Sequence, residues 1–262
     1  MQKNNFEVEG IFVEHYSPEE CSNRPPLVFV HGGCHGSWHW RNFLEYFSNA
    51  GWDCYALNWY NHYKSMSLPL NQFINRSLAD VTEEVGKVVE SIGVEPIIIG
   101  HSMGGMVAQQ YAQISPVKAL VLTTSVIPKE LGAPHIELPA PIDDTIPFSP
   151  PPFEFAKELF FQAVNEEQAR QEYALLCDES PRAVREAIEH GLSIDKNKIN
   201  CPVLVIGAEL DLLTPEVSMR KLAKFYQAEY VYVEGKGHNL LTVEGWQEVA
   251  QAIEQWLHKQ LF

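Results

Sequence analysis

The sequence predicts an α/β fold in which a mostly parallel central sheet is flanked by helices. Short apolar segments such as "PLVFV" and "PIIIG" alternate along the chain with longer segments whose apolar residues recur at helical spacing. These short segments are apolar at every position, which is typical of parallel strands covered by helices on both faces. The alternation of the two patterns therefore indicates a parallel sheet with helices on either side of it.

The first half of the chain begins with "FEVEGIFVEHY", whose alternating polarity predicts a half-buried antiparallel strand or hairpin. A buried strand in "PPLVFVHGG" precedes a helix in "WRNFLEYFSNAG", which ends near the predicted C-cap residue Gly51. The next elements are a strand in "DCYALNW" and a helix in "SLADVTEEVGKVVESIG". The predicted apolar face of this second helix consists of Leu78, Val81, Val85, Val88 and Val89.

The second half continues with three all-apolar strands in "PIIIG", "KALVLTT" and "CPVLVIG", followed by a last strand in "AEYVYVEG" and a C-terminal helix. Between the second and third of these strands, from about Pro128 to Asn200, we predict no strand. A proline-rich segment and three helical pieces occupy this region, the last with Ser180 as N-cap and Pro181 at the first helical position. We interpret residues 128–200 as a helical cap inserted into a core formed by residues 1–127 and 201–262.

Composition and cysteine spacing argue against several kinds of partner and site. The 262 residues contain 19 basic and 34 acidic side chains, and this net charge of −15 disfavours nucleic acids and anionic membranes. The chain shows no signal-peptide pattern at its N-terminus and no apolar run of membrane-spanning length. An odd number of cysteines without C-x-x-C spacing disfavours disulfides and zinc ribbons. Reduced thiols are typical of a cytoplasmic protein, which is what we expect here. We also expect a monomer or a homodimer.

The segment Gly100-His101-Ser102-Met103-Gly104 fits the pattern G-x-S-x-G. This pattern marks a sharp strand-to-helix turn that presents a nucleophilic serine, and it needs glycine at both ends because side chains there would clash. The pattern alone arises by chance in roughly one chain of this length in twenty. Its position between the strand "PIIIG" and the helical segment "MVAQQYAQI" makes Ser102 a strong candidate nucleophile.

A serine hydroxyl needs a base to take its proton and an acid to orient that base. In parallel sheets that carry a G-x-S-x-G turn, the three residues follow along the chain in the order serine, acid, histidine. The loop after "CPVLVIG" offers Glu209 and Asp211, of which we prefer Asp211 because it lies deeper in the loop. The loop after the last strand offers His238, which we assign as the base. His258 lies within the terminal helix, and His101 is not the expected base although it precedes Ser102.

Two backbone N–H groups are needed to bind the oxyanion that develops during acyl transfer. The first is expected from Met103, which directly follows the serine at a helix N-terminus. The second is expected from the loop "HGGCHGSW", where we choose Gly33 because glycine lets the backbone approach the substrate. The alternative is Cys34, whose thiol we expect to pack as a small residue.

Taken together, these features resemble the α/β-hydrolase superfamily over nearly the whole chain. The segment "HGGCHGSWHW" is similar to the opening of plant hydroxynitrile lyases and methylesterases, a resemblance that also implies an oxyanion role for Gly33. The insertion, with "AKELFF" and "ESPRA", resembles the caps of bacterial esterases and lysophospholipase-like hydrolases. Gly32 and Asn239 stand where the lyases carry threonine and lysine, which argues against cyanogenic lyase chemistry.

The resemblance and the motifs imply a serine hydrolase that cleaves small apolar carboxylic esters through Ser102, His238 and Asp211. Cleavage of a carbon–carbon bond or a lactone by the same residues is the alternative, and a non-catalytic ligand receptor is a third. We expect no cofactor, and no metal at the histidines spaced by four, because no H-E-x-x-H pattern accompanies them. The segment "LNWYNHYKS" departs from the superfamily pattern, and the sequence assigns it no role.

The insertion contains several phenylalanines that are candidates for lining an apolar substrate pocket, although about half of them are expected in the core of the cap itself. They are Phe148, Phe153, Phe155, Phe160 and Phe161.

Overall fold

The computed structural model describes residues 1–20, 23–132, 136, 138 and 140–262, and its centre is a nine-stranded sheet. The strands are β1 Gln2–Lys3, β2 Phe6–Val8, β3 Ile11–Ser17, β4 Leu27–Val30, β5 Cys54–Leu57, β6 Ile97–His101, β7 Ala119–Thr123, β8 Val203–Ala208 and β9 Glu229–Val233. The main order is β1-β3-β5-β4-β6-β7-β8-β9, and β2 pairs with β3. Neighbours from β5 to β9 run parallel, whereas β1, β2 and β3 pair antiparallel as the alternating segment predicted.

The helices of the described residues cover both faces of this sheet. They are α1 Arg41–Asn49, α2 Leu70–Ile74, α3 Leu78–Ile92, α4 Met103–Ala112, α5 Phe153–Leu159, α6 Glu166–Tyr173, α7 Pro181–Arg185, α8 Glu216–Tyr226 and α9 Trp246–Leu261. Helices α3, α4 and α8 pack on one face, and α1 and α9 pack on the other. No helix of the described residues is both long and apolar enough to cross a bilayer.

The two-sided cover explains why the central strands are apolar at every position. Along β4, Val28 and Val30 belong to the core under α3 and α4, while Leu27 and Phe29 belong to the core under α1 and α9. Side chains that alternate between two buried faces must all be apolar. The predicted α/β fold with a mostly parallel sheet is therefore confirmed.

Between β7 and β8, the described residues form helices and short helical turns but no strand. Helix α7 begins at Pro181 after the N-cap Ser180, whose hydroxyl accepts the Ala183 N–H, as predicted. A small apolar cluster within the insertion includes Ala156 and Phe161 and extends to Val243 of the last loop. The division of the chain into a core and a cap domain stays a prediction.

Candidate active site

Ser102 lies at the turn between β6 and α4, with backbone angles of φ 54° and ψ −121°. A Cβ atom on Gly104 would lie 2.2 Å from the His31 carbonyl oxygen and 2.4 Å from the Val30 oxygen. A Cβ atom on Gly100 would lie 2.4 Å from the Gly104 carbonyl oxygen. These contacts are with backbone atoms that cannot move aside, so the strained turn requires glycine at both ends.

We expect Gly104→Ala to lower the free energy of unfolding by about 3 kcal/mol or more, because β4 and α4 would have to separate. A urea titration followed by circular dichroism measures the change. Gly86→Ala is the matched control, since its Cβ would lie 3.8 Å from the nearest ring atom, within helix α3. This control should raise stability by about 0.5–1 kcal/mol, and equal losses in both variants would contradict the steric explanation.

The structure brings the three predicted side chains together in one hydrogen-bonded row. The His238 Nε2 atom lies 2.9 Å from Ser102 Oγ, and His238 Nδ1 lies 3.0 Å from the nearer Asp211 oxygen. Both His238 and Asp211 are buried. Nδ1–H donating to the carboxylate leaves Nε2 free to accept the serine proton. Glu209, the alternative acid, is exposed and accepts a hydrogen bond from the Gly235 N–H instead.

The loop after β8 prepares Asp211 as an ionised acceptor. Its carboxylate accepts the backbone N–H groups of Leu213 and Thr214 at 2.8 and 3.0 Å and the Thr214 hydroxyl at 2.6 Å. Burial by itself raises the pKa of Asp211, but the His238 imidazole and these donors hold it below the usual range. The backbone of His238 is held as well, because His101 donates Nε2–H to the His238 carbonyl oxygen at 3.0 Å.

The two residues predicted to supply the oxyanion donors, Gly33 and Met103, are neighbours. A Cβ atom on Gly33 would lie 2.2 Å from the Met103 sulfur, so the two residues are in direct contact. Within the described ranges, the N–H groups of Gly33 and Met103 have no protein acceptor. The alternative donor Cys34 is excluded, because its N–H donates to the Glu179 carboxylate at 3.2 Å. The geometry therefore leaves the pair that the sequence predicted available to an oxyanion.

An apolar pocket opens onto Ser102 and His238. Its lining comes from the loop after β4, the turn after β6, the insertion and the loop after β8, and among the described residues it includes no Asp, Glu, Lys or Arg side chain. The lining residues from the insertion are Ile136, Leu138, Phe148, Pro151, Leu159, Phe160, Val184, Ala187 and Ile188. Of the five candidate phenylalanines, Phe148 and Phe160 thus line the pocket. Phe153 and Phe161 pack inside the insertion, and Phe155 does neither.

Four buried histidines surround the back of the site. The ring of His39 packs between those of His35 and His101, with centroid distances of 4.6 and 4.8 Å, and His31 stacks on Trp59. Burial lowers the pKa of His31, His39 and His101 well below the usual imidazole range, and that of His35 to about 4. These imidazoles are therefore neutral in the folded protein near pH 7.

This burial predicts a loss of stability in mild acid. The unfolded histidines have a pKa near 6.5, so the stabilisation is complete above that pH and is lost as the pH falls toward the depressed folded values. In urea titrations from pH 7 to 5, we expect His39→Leu to reduce the average slope of unfolding free energy against pH by about 1 kcal/mol per pH unit. His258→Gln, an exposed position on α9, should keep the wild-type slope. An unchanged slope in His39→Leu would contradict this explanation.

One buried ion pair beside the site was not predicted. His62, in the segment to which the sequence assigned no role, lies 3.0 Å from the Glu179 carboxylate of the insertion, and neither side chain is exposed. The two residues are 117 positions apart. No local pattern in the sequence marks such a pair.

Comparisons with known proteins place the chain in a family. The model of the alpha/beta hydrolase family matches residues 27–252. Methylesterase 9 of Arabidopsis thaliana is 30% identical over 111 residues, which cover 41% of this chain and 42% of that protein. The match to this curated relative thus spans less than half of its length.

Two solved structures show the same fold. A thermophilic esterase aligns with a TM-score of 0.73 at 20% identity, covering 99% of this chain and 98% of that one. A methylesterase from Arabidopsis aligns with a TM-score of 0.72 at 16% identity, covering 90% and 99%. Because the family match extends over most of the sequence, this chain belongs to the alpha/beta hydrolase family and is related to plant methylesterases, as its motifs predicted.

Proposed function

We propose that this protein is a serine hydrolase that cleaves small, neutral, apolar carboxylic esters. The observation that carries the proposal is the row of hydrogen bonds from Ser102 through His238 to Asp211, located at the floor of an apolar pocket. The related proteins support an esterase at the level of the family, since one is named a methylesterase and one a thermophilic esterase.

In the proposed mechanism, Ser102 Oγ attacks the acyl carbon while His238 Nε2 takes the hydroxyl proton. The carbonyl electrons move to the oxygen, where the N–H groups of Gly33 and Met103 stabilise the negative charge. The carbon–oxygen bond to the alcohol then breaks, and His238 returns the proton to the leaving alkoxide. Water, deprotonated by His238, hydrolyses the acyl-enzyme and restores Ser102.

The pocket lining defines the expected substrate class. An uncharged, largely apolar wall cannot compensate for the loss of hydration that a charged acyl group suffers on entry. Leu159 and Phe160, and Val184 and Ala187 farther along the insertion, offer apolar contact area to a hydrocarbon chain instead. Neutral alkanoyl esters should therefore be better substrates than esters that carry a carboxylate.

The experiment that tests the proposal combines labelling with a substrate panel. A fluorophosphonate probe should label Ser102, and p-nitrophenyl alkanoates should be turned over faster than a hemisuccinate ester of the same alcohol. Absence of both labelling and turnover would favour the receptor alternative. Lactones or β-diketones that are cleaved faster than every ester in the panel would show that the same residues act on another bond.

A further inference from the structure

The fully buried carboxylate of Glu179 lies between the insertion and the loop that carries the proposed oxyanion donor Gly33. Its Oε2 atom accepts the Cys34 N–H at 3.2 Å and lies 3.0 Å from His62 Nε2. Its Oε1 atom accepts the Ser180 N–H at 2.8 Å. The backbone of Glu179 is held in turn by two hydrogen bonds with Phe148, at 2.8 and 2.9 Å. The carboxylate is thus fixed from both the insertion and the core.

His62 carries a positive charge in this arrangement. Its Nδ1 atom lies 3.0 Å from the Tyr60 carbonyl oxygen, and its Nε2 atom faces the Glu179 carboxylate. Both ring nitrogens face acceptors, so both must carry hydrogen. Burial alone lowers the pKa of His62, but the adjacent Glu179 carboxylate raises it well above the usual range. Burial likewise raises the pKa of Glu179, and the His62 imidazolium holds it below the usual range.

The loop contacted by Glu179 has a strained backbone. Cys34 has a φ of 61°, in the left-handed region that non-glycine residues rarely adopt. Its N–H donates to Glu179, and its carbonyl oxygen accepts the Cys177 N–H at 3.0 Å, so the insertion holds both sides of this residue. Strained residues persist only where the surroundings fix them in this way. Because consecutive peptide planes share a Cα atom, the orientation of the Gly33–Cys34 peptide constrains that of the Gly33 N–H.

We propose that Glu179 is a positioning residue for the oxyanion hole, which it keeps formed by fixing the Cys34 peptide next to Gly33. The inference rests on the proposed function of the same site. Glu179 touches no substrate and acts through the loop. His62 balances its charge, so that a lone carboxylate does not oppose the developing oxyanion. This assigns a role to the segment "LNWYNHYKS" that contains His62.

A glutamine cannot replace this carboxylate. The N–H groups of Cys34 and Ser180 and the Nε2–H of His62 all point at the two oxygens of Glu179. A glutamine side chain has only one oxygen, and its amide NH₂ would face at least one of these donors. In one amide orientation the Cys34 N–H loses its acceptor directly, and in the other the NH₂ is repelled by the Ser180 N–H, which displaces the side chain from Cys34. We therefore expect Glu179→Gln to loosen the loop while changing the side-chain volume very little.

The experiment compares Glu179→Gln with Glu186→Gln, a matched buried carboxylate of the insertion. Glu186 accepts the Ser77 hydroxyl and the Leu78 N–H, both at 2.8 Å, and an Arg182 N–H at 3.1 Å, away from the oxyanion loop. On a p-nitrophenyl alkanoate, we expect Glu179→Gln to lower kcat by about 10- to 100-fold with KM within about twofold. Glu186→Gln should lower Tm while keeping kcat within about twofold.

A transition-state analogue separates positioning from a general loss of structure. A trifluoromethyl ketone forms an anionic hemiketal with the serine, so its affinity should fall in Glu179→Gln by about the same factor as kcat. Activity is expressed per site titrated with the fluorophosphonate probe, which counts only reactive enzyme.

If Glu179→Gln does not fold, Glu179→Asp serves as the second variant. It keeps the charge opposite His62 but is one methylene shorter and does not reach Cys34, so we expect the same fall in kcat with a smaller fall in Tm. Wild-type kcat and inhibitor affinity per titrated site in either variant would overturn the proposal. Failure of the proposed function is a different result, because the wild-type protein itself would then hydrolyse no ester.

Discussion

Replacing Ser102 with alanine should lower kcat on a neutral p-nitrophenyl ester by about 10⁴- to 10⁶-fold while KM and fold are retained. The Oγ atom lies 2.9 Å from His238 Nε2 and is the side-chain atom that bonds to the acyl carbon in the proposed mechanism. Without it, the oxyanion donors and the pocket provide only residual catalysis. Steady-state kinetics measure the loss, and circular dichroism and Tm verify the fold.

The matched control is Ser125→Ala. Ser125 is also buried, and its hydroxyl contacts Gln109 and the Val126 carbonyl oxygen rather than His238. We expect kcat of this variant to stay within about threefold of wild type, since only local packing and hydrogen bonds change. Near-native activity in Ser102→Ala would exclude the serine mechanism, as would fluorophosphonate labelling that persists in that variant.

The second large effect is expected for Asp211→Asn, which should lower kcat by about 10⁴-fold. An asparagine amide would direct its NH₂ either at the donors of Leu213 and Thr214 or at His238 Nδ1. The second arrangement places the imidazole proton on Nε2, where it points at Ser102 and cannot accept the serine proton. The loss therefore comes from the wrong tautomer rather than from a missing contact.

Glu209→Gln is the control for this variant, because Glu209 lies two residues away in the same loop and is exposed. We expect it to retain kcat within about twofold. A loss in Glu209→Gln comparable to that in Asp211→Asn would mean that the loop tolerates no change of charge, and the assignment of Asp211 as the acid would then be wrong.

Periodic patterns explain why so much of the fold was predictable from the sequence. Helix α3 buries Leu78 and Val85 on the face that the helical spacing indicated, and the hairpin of β2 and β3 follows from alternating polarity. The short elements were not predicted. Helix α2, with five residues, and β1, with two, contain too few positions for a period to appear.

The sequence by itself determined the candidate site residues, because a G-x-S-x-G turn and the loops after the last two strands are local features. Only the tertiary structure decided which backbone donors stay available, since the Cys34 N–H is occupied by Glu179, 145 residues away. It also decided that Phe148 lines the pocket while Phe153 packs within the insertion. Contacts of this kind depend on how distant segments pack against each other, and no local spacing of residue types encodes them.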